Sequence, residues 1–167
     1  MKAALASAIA DDKGSGGRSR GRPRPAAPDP VEAGVDYAAF RQRYGTLQQA
    51  METEIGSLRG RLRAALAARA SGMARLAMVD TVMERVLGAR EQALLATVPG
   101  MLEAHFKRLR QGEEAALASA PAAGLAARVT PGAWLAVFQN DMQSVLRAEL
   151  DIRFQPVEGL LAALRDS

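Results

Sequence analysis

Large apolar residues recur at Tyr37, Phe40, Tyr44, Leu47, Met51, Ile55, Leu58, Leu62 and Leu66. Their mean spacing is about 3.6 residues, the period of an α-helix. Asp36 stands just ahead of this stripe, where its carboxylate can accept the orphan amide hydrogens of a first turn. Arg59, Arg61, Arg63 and Arg69 crowd the far third, where cations suit the negative end of the helix dipole. The spacing predicts a helix over residues 36–69, roughly 51 Å long at about 1.5 Å per residue.

A rod of that length in a small domain pairs along its side. Ser71-Gly72 interrupts the pattern and predicts a tight turn, with Ser71 capping the next helix. A second stripe follows at Met73, Leu76, Val79, Met83, Val86 or Leu87, Leu94 and Val98. An antiparallel hairpin hinged at this elbow pairs residue i with about 141 − i. That register sets Leu62 against Val79, Leu58 against Met83, Ile55 against Val86, Leu47 against Leu94 and Phe40 against Met101. The expected seam is apolar along its length, with Arg90 at its edge.

Beyond the hairpin, Pro99-Gly100 kinks or restarts the helix, and Thr97 is placed to cap a segment carrying Met101, Leu102, Phe106 and Leu109. Residues 112–129 are mostly Ala and Gly with Pro121, and read as a loose connector. Thr130-Pro131 resembles a helix start, with threonine as N-cap and proline in the first turn. Trp134, Leu135, Phe138, Met142, Val145, Leu146 and Leu150 then give a broad apolar face, and a short helix after Pro156 carries Val157, Leu160, Leu161 and Leu164. The expected fold is all-α: an elongated antiparallel hairpin extended into a three- to four-helix bundle over residues 36–167.

Composition agrees with that reading. The chain has 35 alanines, 19 leucines and 7 methionines against 13 valines and isoleucines together, a balance that favours helix over sheet. Residues 1–10 predict a short helix. Their lysine, small apolar run and Ala8-Ile9-Ala10 imitate a secretory leader, but the run is short and alanine-rich. Residues 11–35 collapse into Gly, Pro, Arg, Ser and Asp, with prolines at 23, 25, 28 and 30, and predict a disordered basic linker. Much of the net charge of +4 belongs to this amino-terminal region, so the helical body is nearly balanced and has no electrostatic reason to coat a nucleic acid.

The residue inventory removes several chemistries. There is no cysteine and one histidine, so disulfides, a thiol nucleophile and a Cys/His zinc site are absent. His105 falls between Met101 and Leu109 and reads as a packed or rim residue; neither a zinc-protease nor a di-iron helix motif surrounds it. Gly14, Gly16, Gly17 and Gly21 lack the flanking strand and lysine of a phosphate-binding loop. Glu113-Glu114 reads as solvated charge, and Met73, Met78 and Met83 as core filling. No apolar run is long enough to span a membrane. No cofactor is expected, and the chain does not read as an enzyme.

Two resemblances bear on function. Arg18-Ser19-Arg20-Gly21-Arg22-Pro23-Arg24-Pro25 resembles the AT-hook, in which an Arg-Gly-Arg core lies in the narrow minor groove of A·T-rich DNA. The resemblance implies Arg20 and Arg22 in the groove with Gly21 allowing close approach, Pro23 holding the extended path, and Arg18 and Arg24 on phosphates. FRQRYGTLQQAMETEIGSLRGRLRAALAAR (Phe40 to Arg69) and LLATVPGMLEAHFKRLRQ (Leu94 to Gln111) resemble a proteobacterial family of helical proteins catalogued as a domain of unknown function. Genes of that family often neighbour those of envelope proteins, which implies a cytoplasmic accessory of an envelope complex and transfers no catalytic residue. The expected function is a non-enzymatic interaction or scaffold protein that forms a homo-oligomer or docks a protein partner. Its candidate face comprises Phe40, Leu47, Ile55, Leu62, Val79, Met83, Trp134 and Phe138. The alternative is a DNA-binding accessory protein using the arginine segment.

Overall fold

The computed structural model describes residues 1–11, 35–69, 71–123 and 132–166. It contains five helices among those residues: α1 (Lys2–Ala10), α2 (Tyr37–Ala67), α3 (Ser71–Leu95), α4 (Val98–Ala123) and α5 (Ala133–Arg165). Asp36 caps α2 as its position predicts, its carboxylate accepting from the Ala38 amide at 3.1 Å. The elbow after α2 lies at Ala68–Arg69 and α3 starts at Ser71 itself, so Ser71 belongs to the helix and not to the turn.

Helix α5 is the spine. Its buried residues Trp134, Phe138, Met142, Leu146, Leu150, Phe154, Val157 and Leu160 recur every three or four positions and form one stripe. Helix α2 runs parallel to α5: Phe40 meets Phe138, Tyr44 meets Glu149, and Arg69 Nη1 reaches the Leu164 carbonyl at 2.8 Å. Its buried residues Tyr37, Tyr44, Met51, Ile55, Leu62 and Leu66 all belong to the predicted stripe. Helix α4 runs antiparallel along the first half of α5 and closes an aromatic cluster. Phe106 lies edge-on to Trp134 at 4.8 Å and to Phe138 at 5.1 Å, and Tyr37 and Phe40 pack on the same ring. Helix α1 seals the other half of α5. Ile9 is almost wholly buried, and Lys2 pairs with Asp151 and Glu158 while lying 5.1 Å over the Phe154 ring.

Helix α3 departs from expectation. Its antiparallel course beside α2 is as predicted, but its roll is not. Val79, Met83, Val86 and Leu94, expected to meet Leu62, Leu58, Ile55 and Leu47, are exposed, and Met101, expected opposite Phe40, is exposed at the start of α4. The reason lies in α2, whose apolar stripe is already engaged by α5. The side of α2 left for α3 carries Gln48, Glu52, Arg59 and Arg63. An apolar α3 face laid there would desolvate guanidinium groups without pairing them, at a cost of several kcal/mol per charge. Phe40 instead packs in the aromatic cluster, and Met78 and Met83 are not core filling.

Three smaller departures have local causes. Helix α4 continues to Ala123 through the expected connector, because alanine is the best helix former and tolerates the interruptions. Glu113 is not idle charge: its carboxylate accepts from the Gly132 amide at 3.1 Å and the Trp134 amide at 3.5 Å, supplying the start of α5 with a cap from a neighbouring helix. Gly132, with φ of 81°, precedes the first turn of α5, so the helix starts later than Thr130-Pro131 implies; those two residues lie outside the described ones. Pro156 does not start a separate helix but sits inside α5. The carbonyl it leaves without an amide partner is that of exposed Ile152, which water can reach. Thr97 precedes α4 as predicted, yet its hydroxyl donates backward to the Leu94 carbonyl at 2.7 Å.

Urea unfolding checks this division between core and surface. Phe138→Ala and Ile9→Ala are expected to cost about 3–5 and about 2–4 kcal/mol. Val86→Ala, on the open side of α3, is expected to change stability by less than about 0.5 kcal/mol. A loss at Val86 as large as that at Ile9 would place α3 the other way round.

Candidate interaction face

The face is built from behind. Arg59 and Arg63 are one turn apart on α2, and Asp80 and Glu84 one turn apart on α3. Arg59 Nη2 donates to Asp80 Oδ1 at 2.7 Å and its Nη1 lies 3.2 Å from Glu84 Oε1. Arg63 Nε donates to Asp80 Oδ2 at 2.8 Å, its Nη1 to Thr81 Oγ1 at 3.4 Å and its Nη2 to Glu84. Arg59, Arg63 and Asp80 retain only 12–17% of their side-chain exposure, so this is a largely desolvated network and not a surface pairing.

Farther along the seam, a cleft of about 290 Å³ separates α2 from α3. Gly56 and Gly88 contribute no side chains to fill it, and Glu52, Arg59, Glu91, Gln92 and Arg153 line it. Gln92 bridges it by donating to Glu52, and the buried Nε of Arg59 has no hydrogen-bond partner among the described residues. The cleft is large enough for water, and its charged and amide side chains offer water hydrogen-bond partners.

Beneath it, Glu149 of α5 is 97% buried and fully engaged. It accepts from Tyr44 at 2.7 Å, from Gln48 Nε2 at 3.1 Å on both oxygens, and from Arg153 Nε at 2.9 Å. Gln48 also reaches the Leu95 carbonyl, and Arg153 lies 3.6 Å from Glu91, so this one carboxylate ties α2 and α5 to the end of α3. Burial, and then the carboxylate beside it, push the Tyr44 hydroxyl far above its ordinary pKa. Burial also raises Tyr37, with Glu103 adding to the effect; its hydroxyl donates to the Pro99 carbonyl.

With Asp80, Thr81, Glu84 and Glu91 turned inward, the 3.6-residue period carries the apolar positions to the opposite side. Met78, Val79, Val82, Met83, Val86 and Leu87 are 47–69% exposed, and Leu76 and Leu94 extend the stripe at its ends. From Leu76 to Leu87 they leave open on the order of 600 Å² of apolar surface, at the upper end of the largest patch on an ordinary monomer.

The expected face is divided by the fold. Ile55, Leu62, Trp134 and Phe138 are buried, Phe40 and Leu47 are half-buried against them, and Val79 and Met83 alone are open. Met78, Val82 and Val86 complete the open stripe. The inward partners were marked by two i, i+4 charge pairs of opposite sign near one hairpin register. Arg18, Arg20, Gly21, Arg22, Pro23 and Arg24 lie outside the described residues.

Elsewhere, His105 Nε2 lies 2.8 Å from Asp141 Oδ2 on the surface of the α4–α5 contact, with no hydroxyl hydrogen-bonded to the imidazole among the described residues. No group of three His, Asp or Glu side chains able to hold a metal occurs among the described residues. Nor is any described helix long and apolar enough to cross a membrane.

The chain belongs to the family described as "Protein of unknown function (DUF3348)", whose profile matches residues 1–166 and so includes α1. No curated protein and no solved structure matches it.

Two measurements check the seam and the buried carboxylate. Asp80→Ala removes the carboxylate shared by Arg59 and Arg63, leaving Glu84 as their one acidic partner among the described residues, and is expected to cost about 2–3 kcal/mol in urea unfolding; no loss would show that the network does not hold α3. Both tyrosines have raised pKa values, so their stabilising effect is complete below the ordinary tyrosine value of about 10 and is lost as pH rises beyond it. Ultraviolet titration is therefore expected to show neither hydroxyl ionising near pH 10 while the helix signal persists, both ionising as the fold is lost. Tyrosinate absorbance from both residues near pH 10 with helicity intact would contradict the burial of Tyr44.

Proposed function

We propose that this protein is a non-enzymatic interaction module, acting in the cytoplasm, whose bundle presents α3 as a rib for docking another protein. One observation carries the reading: a folded helix, anchored by a buried ionic network, turns a continuous row of valines, methionines and leucines to solvent. The largest apolar patch on a monomer is often a functional surface, and methionine and arginine, both present here, are enriched at interfaces. Methionine suits such a surface because its flexible thioether adapts to the partner's shape.

Ile9 fills a core position and Lys2 is held by two carboxylates on α5, so this apolar segment is an integral helix of the bundle. The commitment of buried Glu149 to Tyr44, Gln48 and Arg153 supports a non-enzymatic role, since this carboxylate stabilises helix positions.

Affinity capture from the native host, with wild type and Val82→Asp/Val86→Asp in parallel, tests the proposal. The two aspartates lie on an exposed helix surface and are expected to cost less than about 1 kcal/mol each, so circular dichroism should show an unchanged fold. The expected outcome is a defined set of proteins retained by the wild type and lost by the variant. The same proteins retained by both would remove α3 as the docking face.

A further inference from the structure

We propose that the occupant of the α3 face is an amphipathic helix whose apolar stripe is edged with aspartate and glutamate. The inference rests on the docking role of α3 and names the chemistry of its partner. Helix α3 carries three acids, and all three lie on its side toward α2 and α5 beside arginines: Asp80 and Glu84 on Arg59 and Arg63, and Glu91 3.6 Å from Arg153. Its remaining charges are Arg75, Arg85 and Arg90, all exposed and none with an acidic partner among the described residues. The outward stripe therefore joins apolar residues to cationic ones, with the acids of α3 on its other side.

The positions of those arginines narrow the choice. At 3.6 residues per turn, Arg75 and Arg90 fall on the same arc as Val79, Val82 and Val86, one at each end of the stripe, while Arg85 lies at its edge. A second copy is a poor occupant. The antiparallel register that places Val82 on Met83 and Val79 on Val86 of the other copy also sets Arg75 against Arg90 at both ends. A lipid surface fits less well too. Inserting the valines would draw Arg75 and Arg90 toward the hydrocarbon with them, and α3 contains no Trp, Tyr or Phe to sit at the headgroup level. An acid-edged helix meets both requirements: its stripe covers the valines and methionines, and its carboxylates reach the arginines.

The full-length protein is tested against a designed helical peptide of about 20 residues. The peptide has a leucine stripe edged by glutamates, and its twin has lysines at those edges. Fluorescence anisotropy is expected to show the glutamate peptide binding at least about tenfold more tightly, with the gap narrowing as salt rises. In Arg75→Glu/Arg85→Glu/Arg90→Glu the preference should reverse, and Val82→Asp/Val86→Asp should lose both peptides. Equal affinity for the two peptides overturns the proposal. So does a concentration-dependent dimer that Val82→Asp/Val86→Asp abolishes, or flotation with phosphatidylserine-containing vesicles when neither peptide binds. If native captures are lost in the valine variant yet the peptides bind alike, the docking face stands and only its charge preference fails. If native captures are unchanged, the docking face itself falls.

Discussion

The roll of α3 is fixed by two arginines and two carboxylates. Arg59 and Arg63 need partners because the contact with α3 shields them from water, and Asp80 and Glu84 supply them at hydrogen-bond distances. Once that seam forms, helical geometry leaves no freedom about the remaining residues. Val79, Val82, Met83 and Val86 must face away, whatever their hydrophobicity. The open surface is thus a consequence of charge placement on the hidden side, and a single change at Asp80 acts on both.

The core is organised on a different constraint. Helix α5 is long enough to be shared: α4 covers its first half, α1 its second, and α2 runs beside it along much of its length. Glu149 sits where α2, α5 and the end of α3 meet, with every interaction directed inward. A buried carboxylate satisfied by Tyr44, Gln48 and Arg153 leaves α2 little room to slide along α5, because a shift of one turn would leave a charge unpaired in the core. The aromatic cluster around Phe106 and Phe138 closes the opposite end.

Much of this was legible along the chain. The stripe from Tyr37 to Leu66 and the stripe from Trp134 to Leu164 mark real core faces because each lies on a helix with a large apolar arc and a polar remainder. Helix α3 defeats the same logic: its apolar residues are equally periodic, but periodicity does not say whether a stripe meets the core or the solvent. The charged i, i+4 pairs Arg59/Arg63 and Asp80/Glu84 carried that information, and they outrank an apolar match because stranding a charge costs more than exposing a valine. Glu149, the cap supplied by Glu113, and the His105–Asp141 contact were not legible, since each joins residues remote in sequence without a spacing rule. The persistence of α5 through Pro156 reflects tertiary packing on both sides of the proline, where Phe154 and Val157 are buried.

Methionine oxidation in the dilute, isolated protein tests the outward roll of α3 most directly, because the side chains themselves report their exposure. Met78 and Met83 are 69% and 49% exposed, whereas Met51 and Met142 are each 1% exposed. Under limiting peroxide, peptide mass spectrometry should show Met78 and Met83 converted at rates close to those in the unfolded chain while Met51 and Met142 lag far behind. Protection of Met78 and Met83 equal to that of Met51 would mean that the α3 stripe faces inward, and the ionic seam could not then be what holds the helix.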